Sequence, residues 1–468
     1  MTTASSAGLL GFCFLASQVF AYRDKVNSLG HAYLTLESPQ GSKASPDAMP
    51  VLLLWFVVFD MVFLYLSNTS YTLMRENFFR MVSHTISIFC ALLMEMAVSD
   101  LLVQGLVDFC GESPTHTVAE VIVHILLFPA WFFAITFTTW WVQESGDSVF
   151  ALGGCVAHAT AFVGIDLFVH VNDLLVDTFT EQGTFSISNL MLGNHLAGPL
   201  LAVLTCKLFS VMSHWVRRKK LMNVMEQKKA EECHGCAWAS EAFHCELECS
   251  SILAGFIFRQ ALLIVVQCRP PKHNGDIEVP LAGPVMFLTI GALLSAKSLL
   301  AALSWKSNLK TFLQLLMGMA ACWCFMSLIM YDIKQNIAKT DHRWLVLVAV
   351  VSAIAVSAMF IVGYMADWRL LKTSQQQDLV VVCGIATGLA WEKSFAWAIR
   401  EVIEHDGLSY NKYALDMIRL GSSEVADFTR RMKLLEVWAY IGMLAVIMPA
   451  WLWYIVPLAN PHKEAAAV

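Results

Sequence analysis

Charged residues are scarce in this sequence of 468 residues. Asp, Glu, Lys and Arg together make up 15% of the chain, whereas soluble domains carry about 25%. Apolar residues make up 57% and are concentrated in runs close to the length that a bilayer requires, about 20 residues each. The scarcity of charge argues against a soluble globular protein. It predicts an all-α, polytopic transmembrane helical bundle, because lipid cannot satisfy open strands or irregular loops.

Sequence motifs of several membrane machines are also missing. There is no GxxxxGK[ST] phosphate loop, no helix with Arg at every third position and no TVGYG filter. These absences argue against built-in ATP hydrolysis, voltage sensing and potassium selectivity. No long basic tract indicates a nucleic-acid partner, and the polar segments are too short for an independently folded enzyme domain. We therefore expect no enzymatic activity, and we expect the partners to be the lipid bilayer and a small ion or proton.

Twelve apolar runs are candidate spans, and the count becomes eleven if the seventh run lies in the membrane interface. The seventh run is in doubt because Arg259 lies at its centre, and the first run is short. The runs are Gly8–Tyr22, Pro50–Leu66, Phe79–Val107, Val118–Val142, Val149–Val171, Leu190–Val216, Ser251–Cys268, Leu281–Trp305, Leu309–Tyr331, Trp344–Trp368, Leu379–Ile399 and Leu434–Val456.

A weak internal repeat relates the fifth run to the eleventh. Ala159 and Phe168 match Ala386 and Phe395 at a constant offset of 227 positions (386 − 159 and 395 − 168). The same offset carries the second, third and fourth runs onto the eighth, ninth and tenth. Because an offset of six spans preserves direction through the bilayer, this pattern predicts two parallel six-helix halves.

Lys and Arg are distributed unequally between the loops of the first half. The loops near Glu112 and Asp177 contain none, while the segment that follows residue 216 holds six. Positive residues stay on the cytoplasmic side of a membrane. The sequence therefore predicts a membrane half at 1–216, a cytoplasmic, basic, Cys- and His-rich connector at 217–249, and a second membrane half at 250–468 with five to six spans.

The predicted connector carries a cluster of thiols and one imidazole that could bind zinc. Two pairs, Cys-x2-Cys and Cys-x3-Cys, could supply four tetrahedral ligands. Palmitoylation of juxtamembrane cysteines is an alternative, as is no special role for the cluster. The candidate residues are Cys233, Cys236, His244, Cys245 and Cys249.

The clearest signal of function is a set of ionisable residues inside the apolar runs. Such groups are costly in lipid and usually face a cavity or a partner. In the fifth run and the two residues that follow it, Asp166, His170 and Asp173 fall within about 60° of one another on a helix. Alternating carboxylates and imidazoles suit proton relay or binding of a divalent metal such as zinc or manganese. The predicted path consists of His158, Asp166, His170, Asp173, Glu120, His124 and Glu95.

A second arrangement of histidines suggests a function from another class. His84 and His158 lie near one end of their spans, and His124 and His195 lie near the opposite ends of theirs. This layout resembles that of the cytochrome b561 family, which implies two bis-histidine b-type haems and transmembrane electron transfer. The chain departs from that family in having about twice its span count and none of its other motifs.

Three apolar stretches resemble another group of proteins. These are Thr85–Leu92 (TISIFCAL), Ala157–Asp166 (AHATAFVGID) and Gly388–Ile399 (GLAWEKSFAWAI). They are similar to stretches in uncharacterised multi-pass membrane proteins of dinoflagellate algae, which implies a polytopic membrane protein and names no activity.

The sequence thus leaves three hypotheses of function. The first is a transporter or channel for protons or a small cation, through the His- and Asp-lined path of the N-terminal half. The second is the haem electron carrier. The third is a non-transporting scaffold or sensor, in which the buried polar groups only pair with one another.

Overall fold

The computed structural model describes most of the chain after residue 60. The described residues are 61, 62, 64–70, 72–110, 116–143, 147–182, 187–227, 234–267, 282–302, 308–336, 343–368, 376, 380–392, 394, 395 and 422–459. They fall into two units. In the first, Met1–Asn68, the described residues are helical, and the Asn68 side-chain amide donates a hydrogen bond to the Leu64 carbonyl at 2.8 Å.

The second unit, Thr69–Val468, is a bundle of helices. Throughout its described residues the regular structure is helical, as lipid requires of a spanning chain. A short π-helical turn, Trp451–Ile455, follows Pro449 and connects the last two helices. In chain order the helices are α1 Thr72–Cys110, α2 His116–Trp141, α3 Asp147–Gln182, α4 Ile187–Gln227, α5 His234–Gln267, α6 Ala282–Ala302, α7 Asn308–Asn336, α8 Arg343–Asp367, α9 Val380–Glu392, α10 Ser422–Ala450 and α11 Val456–Ala459.

Nine stretches of helix in the described part of the chain are long and apolar enough to cross a membrane, with 18 to 36 residues each. They coincide with the third to tenth and the twelfth predicted runs. The eleventh run corresponds to the shorter apolar helix α9. The first run, and most of the second, lie outside the described residues. The prediction of an all-α, polytopic helical bundle is confirmed.

The seventh run forms a longer helix than its apolar residues indicated. A membrane-length stretch extends from Trp238 to Val266 within α5. Arg259 is buried there, where its Nε donates to Ser327 Oγ of α7 at 2.6 Å and its guanidinium lies 5.5 Å from the centre of the Phe256 ring. Hydrogen bonding and cation–π contact offset part of the cost of burying this charge.

The predicted connector 217–249 is largely helical where the structure describes it. Residues 217–227 continue α4, and residues 234–249 form the first half of α5. One face of α5 is buried along its length at a 4-3-4-3-4 spacing that is typical of a packed helix. The residues of this stripe are Trp238, Ala242, Cys245, Cys249, Ile252 and Phe256.

Helices α1, α3 and α5 lie side by side and run in the same direction. Ser87 of α1 contacts His158 of α3, an offset of 71 positions, and the pair Glu95 and Asp166 shows the same offset (166 − 95). Contacts of α3 with α5 also keep a nearly constant offset, since His158 contacts Glu248 and Leu253 packs against Gly164. This parallel register places polar residues of different helices at matching depths.

Candidate functional site

One buried centre lies where α1, α2 and α3 meet. It consists of Glu95, His124 and Asp166, one residue from each helix, and one ligand atom of each lies within 4.8 Å of the others. Glu95 and His124 are each 3% exposed. His124 Nε2 is 3.5 Å from Glu95 Oε1. Two carboxylates and one imidazole are thus brought together in the interior, a donor set that divalent metals accept.

Hydrogen bonds orient the imidazole of His124 toward the two carboxylates. Its Nδ1 lies 2.7 Å from the Glu120 carbonyl oxygen, one turn earlier in α2. Because a carbonyl can only accept, Nδ1 carries the proton, and Nε2 of the neutral ring is free to accept or to bind a metal. Nε2 also lies 3.0 Å from Ser99 Oγ. A backbone carbonyl on the other ring nitrogen is the usual support of a metal-binding histidine.

A second imidazole–carboxylate pair adjoins this centre. His170 Nδ1 of α3 is 3.4 Å from Glu120 Oε2 of α2, and both side chains are 24% exposed. The rings of His170 and His124 are 5.1 Å apart, centre to centre. Ionisable groups therefore extend from the buried centre to a partly exposed pair without a break.

A second buried polar group is centred on His158, which lies closer than Asp166 to the N-terminal end of α3. Its Nε2 is 3.1 Å from Glu248 Oε1 of α5, and its Nδ1 is 3.2 Å from Ser87 Oγ of α1. His158 is 1% exposed and Glu248 is 9% exposed. His84 of α1 is close enough to interact electrostatically with both His158 and Glu248. We call Ser87, His158 and Glu248 the inner cluster, and we refer to the candidate metal site formed by Glu95, His124 and Asp166 as the metal centre.

Buried apolar residues lie between the two groups on α1 and α3. Along α3, His158 and Asp166 are eight residues apart, which is about 12 Å. Phe162 lies between them on the same face, and Ala91 of α1 occupies the matching register position. Both residues are buried. The predicted single line of polar residues on α3 is therefore divided into two sites at different depths.

The structure brings together most of the predicted path. Glu95, Glu120, His124, Asp166 and His170 form the metal centre and its neighbouring pair, whereas His158 belongs to the inner cluster. Asp173 lies within α3, but its side chain is outside the described residues.

Of the predicted haem ligands not assigned to the metal centre, His84 and His158 lie within the described residues. Both ring nitrogens of His158 are engaged, by Ser87 and Glu248. His84 is packed against α9, where a Cβ on Gly384 would lie 2.7 Å from the His84 Cβ. His84 therefore packs closely against α9 on this side. The His195 side chain is outside the described residues, so the predicted pair of His124 and His195 stays a prediction.

Two of the connector cysteines lie together where the structure describes them, and His244 lies apart from both. Cys245 and Cys249 are buried on one face of α5, whereas His244 is exposed and lies 100° from Cys245 on the helix. Cys249 interacts with Cys206 of α4. Cys233 and the side chain of Cys236 lie outside the described residues, so zinc binding and acylation at those two positions stay predictions.

Sequence reasoning missed two buried carboxylates of α5, Glu246 and Glu248. Both were assigned to the polar connector because three acidic residues and a histidine interrupt this segment. The 4-3-4-3-4 spacing of apolar residues from Trp238 to Phe256 was the signal that could have identified a buried helix.

Comparison of the chain with protein-family models, with curated proteins and with solved structures gave no match. The resemblance to dinoflagellate membrane proteins therefore stays a prediction.

Proposed function

We propose that this protein is a multi-pass membrane transporter for a small divalent cation, bound at the metal centre. The observation that carries the proposal is the convergence of Glu95, His124 and Asp166 from three successive membrane-length helices. Ionisable groups at such depth are costly and usually mark a substrate or ion pathway. A divalent cation would offset the negative charge of the two carboxylates.

The orientation of His124 supports a cation at this position. With Nδ1 donating to the Glu120 carbonyl, Nε2 of the neutral ring is an acceptor that lies 3.0 Å from the Ser99 hydroxyl and 3.5 Å from the Glu95 carboxylate. Two acceptors that face each other repel unless a proton or a metal ion lies between them. The same geometry therefore serves a cation when one is bound and a proton when none is.

The donor set narrows the choice of metal. One imidazole nitrogen and two carboxylate oxygens suit zinc or manganese, whereas calcium and magnesium prefer oxygen ligands alone. Bound there, the metal would be held by Glu95, His124 and Asp166, with the Glu120 carbonyl fixing the His124 tautomer. Manganese and zinc are thus the ions to test first.

The access route follows from the predicted topology. If the loop near Glu112 is external, the half-buried Glu120–His170 pair lies on the outer side of the metal centre. Its carboxylate and imidazole would then attract cations toward the centre and give them a first binding position. The inner cluster and buried Phe162 lie on the cytoplasmic side of the centre.

Metal binding by the purified protein tests the centre directly. We expect wild-type protein to bind about one Mn²⁺ or Zn²⁺ per chain by isothermal titration calorimetry. Asp166→Asn and Glu95→Gln should weaken binding by at least the factor of about 10–100 that loss of a supporting residue costs at metal sites. Binding should also decline in acid, because imidazole and carboxylate ligands must be deprotonated.

Thr160→Val is the matched control, since the Thr160 hydroxyl donates to its own helix at the Val156 carbonyl and lies on the face of α3 opposite His158. It should bind metal as wild type does.

In liposomes, Mn²⁺ uptake should require Asp166. Wild-type affinity and flux in both Asp166→Asn and Glu95→Gln would rule out the site and favour a scaffold with paired polar groups. A b-haem absorbance band in purified protein would favour the electron carrier.

A further inference from the structure

The inner cluster has two titratable groups that the cation site does not use. His158 and Glu248 contact each other at 3.1 Å inside the bundle, and Ser87 completes the group. They come from α3, α5 and α1, two of which also carry the metal centre. Further charged or titratable neighbours are His84 and Arg80 on α1, and His244 and Cys245 on α5.

The hydrogen bonds of this cluster can persist in two protonation states. In the neutral ring, Nε2–H donates to Glu248 and Nδ1 accepts a hydrogen bond from the Ser87 hydroxyl. After a proton is added to Nδ1, the imidazolium donates to Glu248 and to Ser87 Oγ, because a hydroxyl is both donor and acceptor. The cluster then changes from one negative charge to none. No side chain has to move for this proton to be gained or lost.

The two sites are well placed to affect each other through charge. The inner cluster lies about 12 Å from the metal centre along α3, with buried Phe162 and Ala91 between them. A weakly polarisable layer screens charge much less than water does. A cation at the metal centre therefore disfavours a proton at the inner cluster, and the reverse effect must be equal in free energy.

We propose that the Ser87–His158–Glu248 cluster is a proton-binding site that releases its proton when a cation binds at the metal centre, so that transport is cation–proton exchange. The coupling rests on the proposed function, whereas the proton site itself does not. A histidine–carboxylate pair suits this role because the imidazole can gain or lose a proton while both of its hydrogen bonds are kept.

The proton site is tested by infrared difference spectroscopy of purified protein after a change of pH, without added metal. We expect an imidazole and carboxylate signal in wild type that is absent in Glu248→Gln and altered in Ser87→Ala. Ser251→Ala, which removes a buried hydroxyl bonded only within α5, should keep the signal. A signal unchanged in both Glu248→Gln and Ser87→Ala would overturn the proton site. If Glu248→Gln does not fold, the test rests on Ser87→Ala, in which an altered signal supports the proton site and an unchanged signal contradicts it.

The coupling is tested by Mn²⁺ uptake into liposomes with an imposed pH gradient and a clamped membrane potential. With an acidic interior, wild-type accumulation should rise by about tenfold for each pH unit if one proton is exchanged. Glu248→Gln should lose this stimulation and should bind Mn²⁺ about as weakly as wild type does with the cluster protonated, because the variant also lacks the negative charge of the cluster. Stimulation that persists in Glu248→Gln would overturn the coupling. Failure of wild type to bind Mn²⁺ or Zn²⁺ would instead contradict the proposed function.

Discussion

Buried charges in this protein are accompanied by several hydrogen-bond partners, and Arg217 is the clearest case. Its guanidinium is 2% exposed and pairs with Glu246 of α5 through both terminal nitrogens. Nη1 also lies 3.0 Å from each of the hydroxyl oxygens of Thr136 and Ser213, which share its second N–H, while Ser210 donates to Glu246 at 2.7 Å. This network joins α2, α4 and α5. It illustrates the structural use of charge, in contrast to the metal centre, where carboxylates face an imidazole acceptor.

Removal of one partner of this pair should destabilise the fold. Glu246→Gln leaves a buried guanidinium without its counter-charge, so we expect a loss of about 3–5 kcal/mol. Thermal unfolding in detergent, followed by circular dichroism, measures the effect. The double variant Arg217→Met/Glu246→Leu should lose less stability than the sum of the losses in Arg217→Met and in Glu246→Leu, because no unpaired charge remains. Additive losses would show that the two residues act independently.

At the scale of single helices, glycines decide how closely α9 packs on α1. Gly384 and Gly388 are one turn apart on α9, and an added Cβ at Gly388 would lie 2.8 Å from the Thr85 carbonyl oxygen of α1. Thr85 Oγ1 donates across the same interface to the Gly384 carbonyl at 3.2 Å. Small residues at this spacing let helix backbones approach each other in a membrane. The contact supports the segment of α1 that carries His84 and Ser87.

A single methyl group at this interface should disturb it. Gly388→Ala places a Cβ against the backbone of α1, which cannot yield unless a whole helix moves. We therefore expect a lower melting temperature of the protein in detergent. Gly442→Ala on α10 is the matched control, since no heavy atom lies within 4 Å of an added Cβ there. That change should leave stability the same or slightly higher, because Ala favours helix over Gly. Equal melting temperatures for the two variants would contradict the packing argument.

At the scale of the whole molecule, the parallel register of α1, α3 and α5 arranges buried polar groups in two layers. One layer holds the metal centre and the other holds the inner cluster. The topology of the chain decides which of the two layers lies nearer the cytoplasm. The excess of Lys and Arg after residue 216 predicts that the segment around Lys228 is cytoplasmic and that the loop around Glu112 is external.

Protease-recognition sequences inserted at these two loops test the orientation. In intact cells, added protease should cleave the protein that carries the insertion after Glu112 and should spare the protein that carries it after Lys228. After permeabilisation both should be cleaved, which controls for site accessibility. If only the protein with the insertion after Lys228 is cleaved in intact cells, the predicted orientation is wrong and the opposite one holds. That orientation would also place the inner cluster on the side from which cations enter.

The sequence by itself determined the all-α bundle and most of the spans, because hydropathy over about 20 residues is a local property. It also singled out Glu95, His124 and Asp166 as candidate path residues, since charge in an apolar run is visible without a fold. Only the tertiary structure decided which groups meet. The partner of His158 is Glu248, 90 positions away, and the split of the path depends on where Phe162 lies. Such pairings are set by the register between packed helices, which no local pattern encodes.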